Sequence, residues 1–128
     1  ARASDWRFDP IVRMTTTYIE KGDLPKEDWF AGVKHGYFVE SIKHGSGMSK
    51  FTLAPHVAYE IVDGKIGDPV KISVITGDVF NTLGLIDGLS DKVELLSFVT
   101  GGCGKMEQQG LPVGFGGPYV RVSEMFVQ

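Results

Sequence analysis

The residue type best suited to chemistry in this chain is cysteine, which occurs once, as Cys103. It lies in the segment Thr100-Gly101-Gly102-Cys103-Gly104-Lys105, whose glycines allow the backbone to turn sharply. Lys105 would favour the thiolate over the thiol if its ammonium group is directed at the sulfur. A thiolate can attack as a nucleophile or bind zinc. The residues also leave open a small buried cysteine that acts only as a hydrophobe.

The histidines offer a second possible metal site, because His35, His44 and His56 are all the histidines of the chain. They form no H-E-x-x-H motif and no pair four residues apart. Ligands distant in sequence can still converge in a fold, so a three-histidine site stays open beside the simpler interpretation of surface histidines. Ser46 lies directly between two glycines, which is not the G-x-S-x-G spacing of a nucleophile elbow, and we interpret it as part of a flexible turn.

Bulk properties exclude several classes of protein. The 128 residues, 42% of them hydrophobic, are enough for one globular domain with a sizeable core. A net charge of -3 argues against direct nucleic-acid binding, and no apolar run approaches the roughly 18 residues of a membrane span. A single cysteine excludes an internal disulfide, so we expect a cytoplasmic protein. The sequence begins without methionine and is compatible with a piece of a longer protein.

Hydrophobic alternation and β-branched residues predict a chain of short strands around Cys103. Asp63-Gly64 is a strong hairpin signal between two of them, and Pro55 and Pro69 indicate edge positions or irregular pairing. The segments predicted as strands are residues 11–19, 36–43, 50–62, 65–74, 93–99 and 119–127, with a loop at His44-Gly45-Ser46-Gly47 and irregular backbone around Cys103.

Two short helices complete the prediction. Residues 24–33 have Asp23 as an expected N-cap and Pro25 in the first turn. Residues 76–89 carry an apolar stripe, with a start at Gly77-Asp78 and an end at Gly88. Because long helical crossovers are absent, the sequence predicts a mainly β (α+β) fold, an antiparallel sheet or barrel-like domain with two short helices.

Three stretches, in this order along the chain, resemble the C-terminal domain of the TldD/PmbA metallopeptidase family. No single stretch is a catalytic motif, and their joint order makes the resemblance specific. They are Val12-Arg13-Met14 with Thr17-Tyr18-Ile19-Glu20 and Gly22; Ala58-Tyr59 with Ile61, Gly64-Lys65-Ile66 and Pro69-Val70-Lys71; and Cys103-Gly104-Lys105 with Gln108, Pro112-Val113-Gly114 and Gly117-Pro118-Tyr119-Val120-Arg121-Val122.

The resemblance implies a zinc-dependent metallopeptidase that cleaves flexible peptides, in a family also labelled modulator of DNA gyrase. TldD-type members carry an upstream H-E-x-x-x-H helix, whose glutamate is the general base, and a cysteine of the C-terminal segment completes the zinc site. They work with a PmbA (TldE)-type subunit that lacks the zinc ligands. The resemblance thus makes Cys103 a zinc ligand and the chain TldD type. It implies a homodimer, or a heterodimer with a PmbA/TldE-type subunit.

The helix motif has no counterpart in these 128 residues, so we expect residues 1–128 to be one domain of a longer enzyme. We predict that this part alone holds no catalytic residue, binds no stoichiometric zinc and is inactive. Two other functions stay open. One is a non-catalytic PmbA-type partner module with a structural cysteine, and the other is a cysteine hydrolase that pairs Cys103 with a histidine.

Overall fold

The structure is a computed structural model that describes the backbone of residues 1–128 and every side chain except that of Thr100. Within this description the chain forms ten strands and one α-helix. In chain order they are β1 (Thr16–Tyr18), β2 (His35–Gly47), β3 (Lys50–Val62), β4 (Lys65–Pro69), β5 (Ile75–Asp78), α1 (Val79–Gly84), β6 (Ile86–Leu89), β7 (Glu94–Lys105), β8 (Gln108–Gly117), β9 (Val120–Val122) and β10 (Phe126–Val127).

The chain divides into two compact units. The first comprises Ala1–Gly22 and Ser90–Tyr119. Its sheet has the order β1-β8-β7, in which β7 and β8 form an antiparallel hairpin and β1 runs parallel to β8. The buried apolar side chains of β8 are Leu111 and Val113, and the rings of Phe98 and Phe115 stack across the strands at 5.0 Å.

The second unit comprises Asp23–Leu89 and Val120–Gln128. Its main sheet has the order β10-β5-β3-β2, with β4 also paired to β3, and a separate ribbon joins β6 to β9. All these pairings are antiparallel. Both strand residues and residues of the connecting segments contribute to the core of this unit. That core is formed by Ala58, Ile72 and Ile75, packed against Val39, Leu53, Val70, Met125 and Val127.

The predicted fold class and the hairpin at Asp63-Gly64 are confirmed. Both turn residues have positive φ, 47° and 76°, as a two-residue type I′ turn requires. Residues 50–62 form β3 with the predicted bounds. Pro55 lies where the β2–β3 register shifts, and Pro69 ends the short strand β4. The sheets of the described residues are open, so the domain is sheet-like and not a closed barrel.

Several predicted strand boundaries are wrong, because pairing partners decide where a strand ends. Of residues 11–19 only β1 joins a sheet, and of residues 65–74 only β4 pairs with β3. Residues 119–127 divide into β9 and β10, which belong to different sheets. The expected loop at residues 44–47 instead extends β2, since its backbone pairs with β3 through Gly47.

Both predicted helices are too long. Residues 24–33 contain only a 3₁₀ turn at Lys26–Asp28, whose N-cap position is Pro25 and not Asp23. Residues 76–89 contain α1, flanked by two strands, because Ile75–Asp78 pairs with the start of β3. Asp78 does cap this helix, since its Oδ1 accepts from the Asn81 N–H at 3.2 Å, but the helix ends at Gly84 and not near Gly88.

Candidate functional site

Cys103 lies in β7 directly after a bulge. Phe98 pairs with Val113 and Gly102 pairs with Pro112, so four steps along β7 match one step along β8. Gly101 and Gly102 have φ values of 148° and 111°, a region that favours glycine. The glycines therefore do produce an irregular backbone, as predicted, but within a strand. Bulges of this kind re-aim side chains, and here the re-aimed side chain is the cysteine.

Two donors surround the half-buried Cys103 sulfur. The Arg13 guanidinium donates from Nη2 to the sulfur at 3.5 Å and to the Cys103 carbonyl oxygen at 2.9 Å. The hydrogen bond from Arg13, followed by one from the Met14 backbone N–H, lowers the pKa of the Cys103 thiol, against the opposite effect of burial. The contacts stabilise the thiolate, which is the form that binds metal or attacks carbon.

The cation that contacts the sulfur is Arg13, and the condition under which Lys105 would favour the thiolate is not met. The Lys105 ammonium donates instead to the Val12 carbonyl oxygen at 3.1 Å. Arg13 is 90 residues away in sequence, and no spacing rule connects it to Cys103. Its only signal was membership of the Val12-Arg13-Met14 stretch that carries the family resemblance.

The Arg13 guanidinium is incompletely hydrogen-bonded. Nη2 also donates to the Gln108 carbonyl oxygen at 3.0 Å. Nε and Nη1 are buried and have no hydrogen-bond partner among the side chains and backbone that the structure describes. An unbonded buried donor costs about 1–3 kcal/mol, which the contacts of Nη2 have to offset.

Gln108 anchors the N-terminal segment to the same hairpin. Its side chain is only 4% exposed. Its Oε1 accepts from the Ser4 backbone N–H at 2.8 Å, and its Nε2 donates to the Asp9 carbonyl oxygen at 3.0 Å. Arg2 adds two bonds from Nη1, to the carbonyl oxygens of Met14 and Pro112 at 2.6 and 2.8 Å. Gln108 entered the sequence analysis only through the resemblance, and its anchoring role was missed.

The histidines do not form the three-histidine site that the sequence left open. His35 Nε2 lies 3.0 Å from Glu60 Oε1 in an exposed pair, while His44 and His56 are exposed on β2 and β3. Among the side chains that the structure describes, no three His, Cys, Asp or Glu residues are grouped to hold a metal ion. The thiolate of Cys103 has the chemistry of one zinc ligand, whereas zinc sites use three or four protein ligands.

A mainly antiparallel β domain with one half-buried cysteine does not by itself define a class of protein. Comparison with known families supplies the class. The model of the PmbA/TldA metallopeptidase C-terminal domain matches residues 1–128. The chain belongs to the PmbA/TldD metallopeptidase family, as its C-terminal domain.

Known relatives agree with this assignment. The chain is 35% identical over 128 residues to a metalloprotease of Synechocystis sp., covering 99% of this chain and 27% of the relative. It is 31% identical over 129 residues to a zinc metalloprotease TldD homolog of Saccharolobus solfataricus, covering 99% of this chain and 28% of the relative. The chain thus spans little more than a quarter of the length of these relatives.

A solved structure shares the fold. TldE from Thermococcus kodakarensis superposes with a TM-score of 0.66 at 18% identity, over 88% of this chain and 23% of that one. At that identity the likeness concerns the fold alone. Within the part of this chain that the structure describes, no helix is long and apolar enough to cross a membrane.

Proposed function

We propose that the chain is the C-terminal domain of a TldD-type, zinc-dependent metallopeptidase that cleaves flexible peptides. In this proposal Cys103 supplies one zinc ligand and the domain forms part of the substrate cleft. The observation that carries it is the thiolate-stabilising environment of Cys103, in a chain whose family consists of metallopeptidases. The relative named a zinc metalloprotease supports zinc as the metal.

The residues of this chain fit a zinc ion as contributors and not as its whole binding site. Cys103 would hold the metal through a sulfur whose thiol pKa is lowered by the hydrogen bonds from Arg13 and Met14. Zinc bound there would supply the Lewis-acid chemistry of peptide-bond hydrolysis. The remaining ligands and the general base would come from outside these 128 residues.

Zinc content of the intact protein tests the ligand assignment. We expect Cys103→Ala to lower both the bound zinc and the hydrolysis of an unstructured peptide by at least about 10-fold, because a site with three protein ligands loses one of them. Ser97→Ala, also on β7, is the matched control and should leave both unchanged. Full zinc occupancy and activity in Cys103→Ala would contradict the role of Cys103.

Full zinc occupancy and activity in Cys103→Ala would favour a second candidate function, a non-catalytic partner module with a structural cysteine. The solved structure of TldE supports this second candidate, because a protein named TldE has the same fold. We expect the TldD-type protein to form a homodimer, or a heterodimer with a PmbA/TldE-type subunit, and to act in the cytoplasm. Size-exclusion chromatography of the intact protein, with and without such a subunit, tests the assembly.

The isolated 128-residue chain should bind less than one zinc ion per molecule and should not hydrolyse peptides. The reason is that one thiolate cannot hold zinc without two or three further ligands. Metal analysis after dialysis against dilute zinc measures the stoichiometry. One tightly bound zinc ion per chain would contradict the prediction.

A further inference from the structure

One nitrogen of Arg13 faces three acceptors, and all three belong to the β7–β8 hairpin at the candidate ligand. Nη2 lies 2.9 Å from the Cys103 carbonyl oxygen, 3.0 Å from the Gln108 carbonyl oxygen and 3.5 Å from Cys103 Sγ. The two carbonyl contacts determine where the guanidinium lies. Nη2 has two N–H groups, so the sulfur shares one of them with a carbonyl oxygen, and a single rigid group connects the sulfur to both strands.

These contacts fall where the ladder between the strands is interrupted. The pairing shifts register between Cys103 and Lys105, and such a shift leaves backbone groups without a partner in the sheet. Arg13 supplies a donor at this interruption. Its planar guanidinium has a fixed geometry, which the flexible ammonium group of lysine lacks.

The other two nitrogens of the Arg13 guanidinium indicate that this residue has more than a structural role. Nε and Nη1 are buried without an acceptor among the described residues. Buried polar groups are nearly always hydrogen-bonded, and an exception calls for an explanation such as a functional role, strain or a bound water or ion. The Nη2 contacts are therefore the interactions that account for the position of Arg13.

We propose that Arg13 is a positioning residue, which holds the Cys103 sulfur in the orientation of a metal ligand through its bonds to the Cys103 and Gln108 carbonyl oxygens. The inference rests on the proposed function, because it requires Cys103 to be a ligand. Groups that hydrogen-bond to a metal ligand typically change metal affinity by about 10–100-fold when they are removed.

The test uses the intact protein and four variants, Arg13→Met, Arg13→Lys, Lys105→Met and Cys103→Ala. Zinc affinity is measured by competition with a chromophoric chelator. Cobalt(II) replaces zinc in a second experiment, and its thiolate-to-metal charge-transfer band reports the bond to sulfur directly. Circular dichroism gives the folded fraction of each variant, by which the band is scaled.

We expect Arg13→Met to weaken zinc binding by about 10–100-fold and to shift or weaken the charge-transfer band. Arg13→Lys should show an intermediate loss, because it keeps the charge but not the planar geometry. Lys105→Met removes a neighbouring positive charge that does not contact the sulfur, and it should behave as the unmodified protein.

The outcomes separate this inference from the one on which it rests. Loss of the band in Cys103→Ala, with unchanged affinity and band in both Arg13 variants, would overturn the positioning role and leave Cys103 as a ligand. An unchanged band in Cys103→Ala would overturn both proposals. If Arg13→Met does not fold, the zinc affinities of Arg13→Lys and Lys105→Met are compared. Weaker binding in Arg13→Lys supports the positioning role, and equal binding overturns it.

Discussion

The β3–β4 and β7–β8 hairpins are built from similar elements but differ in regularity. In the first, Val62 pairs with Lys65 across the turn and Ile61 pairs with Ile66, and its one register shift lies further from the turn, between Tyr59 and Ile61. The second has register shifts on both sides of Cys103, and its turn contains Met106 with a φ of 54°. A regular ladder alternates side chains between two faces, whereas a bulge changes where a side chain points. The more irregular hairpin is the one that carries the candidate site.

The two hairpins also differ in how they are held. The β3–β4 hairpin has a two-residue turn whose conformation is favoured locally, and the Asp63 and Gly64 N–H groups also donate to the Lys34 and Val33 carbonyl oxygens. At the β7–β8 hairpin, Arg13 and Gln108 connect the strands to an N-terminal segment about 90 to 100 residues away in sequence. The candidate site therefore depends on hydrogen bonds to a segment distant in sequence. Substitutions in the two hairpins should lower the free energy of unfolding by different amounts.

Glycine substitutions give the largest expected difference. At Gly102, φ is +111° and an added Cβ would lie 2.7 Å from Val113 Cγ2, so we expect Gly102→Ala to lower the free energy of unfolding by about 2–4 kcal/mol. At Gly64, φ is +76° and the nearest atom is the Phe30 carbonyl oxygen at 3.3 Å, so Gly64→Ala should cost only about 1–2 kcal/mol. Urea denaturation measures both. Equal costs would contradict the comparison.

The anchor at Gln108 should have the next largest effect. Gln108→Leu keeps the size of the side chain but removes its bonds to Ser4 and Asp9, and we expect a loss of about 2 kcal/mol and faster proteolysis of residues 1–9. Gln109→Leu is the matched control, because the exposed Gln109 side chain bonds, among the described residues, only to the Met106 carbonyl oxygen. A control as destabilised as Gln108→Leu would show that the anchor has no special role.

Thiol reactivity should show the smallest effect. Arg13→Met removes the main hydrogen bond that lowers the pKa of Cys103, so the pKa rises and less thiolate is present at neutral pH. The thiolate fraction at pH 7 falls by up to about 10-fold for each unit by which the pKa rises, and alkylation slows by less than that because a more basic thiolate is a stronger nucleophile. Because Cys103 is the single cysteine, iodoacetamide kinetics between pH 6 and about pH 10 report it alone.

The control for this experiment is Lys105→Met, which should keep the reactivity of the unmodified chain. If Lys105→Met slows alkylation as much as Arg13→Met does, the two cations act only through their charge and the specific contact is unimportant. The same measurement tests the cysteine-hydrolase hypothesis, since an ordinary thiol rate even in the unmodified chain argues against a catalytic nucleophile.

Local signals predicted β3 and its turn, because strand alternation and the φ preferences of Asp63-Gly64 act within a few residues. They failed for residues 76–89, where an apolar stripe suggested one helix. There Thr76 pairs with Thr52 in the sheet, and this tertiary pairing overrides the helical pattern. Of the candidate site, the sequence predicted Cys103 and its glycines. The contact with Arg13 depends on a fold that no local pattern encodes.

One feature of the second unit bears on how the protein behaves in concentrated solution. Strand β2 is an edge strand of its sheet. It is 13 residues long, contains no proline and has Lys43 as its single lysine. Sheet edges of that length invite pairing with another chain, although the three register shifts between Val39 and His44 oppose it by distorting the edge. Colloidal stability of the isolated domain should therefore depend on β2, and light scattering that rises with protein concentration would measure this tendency.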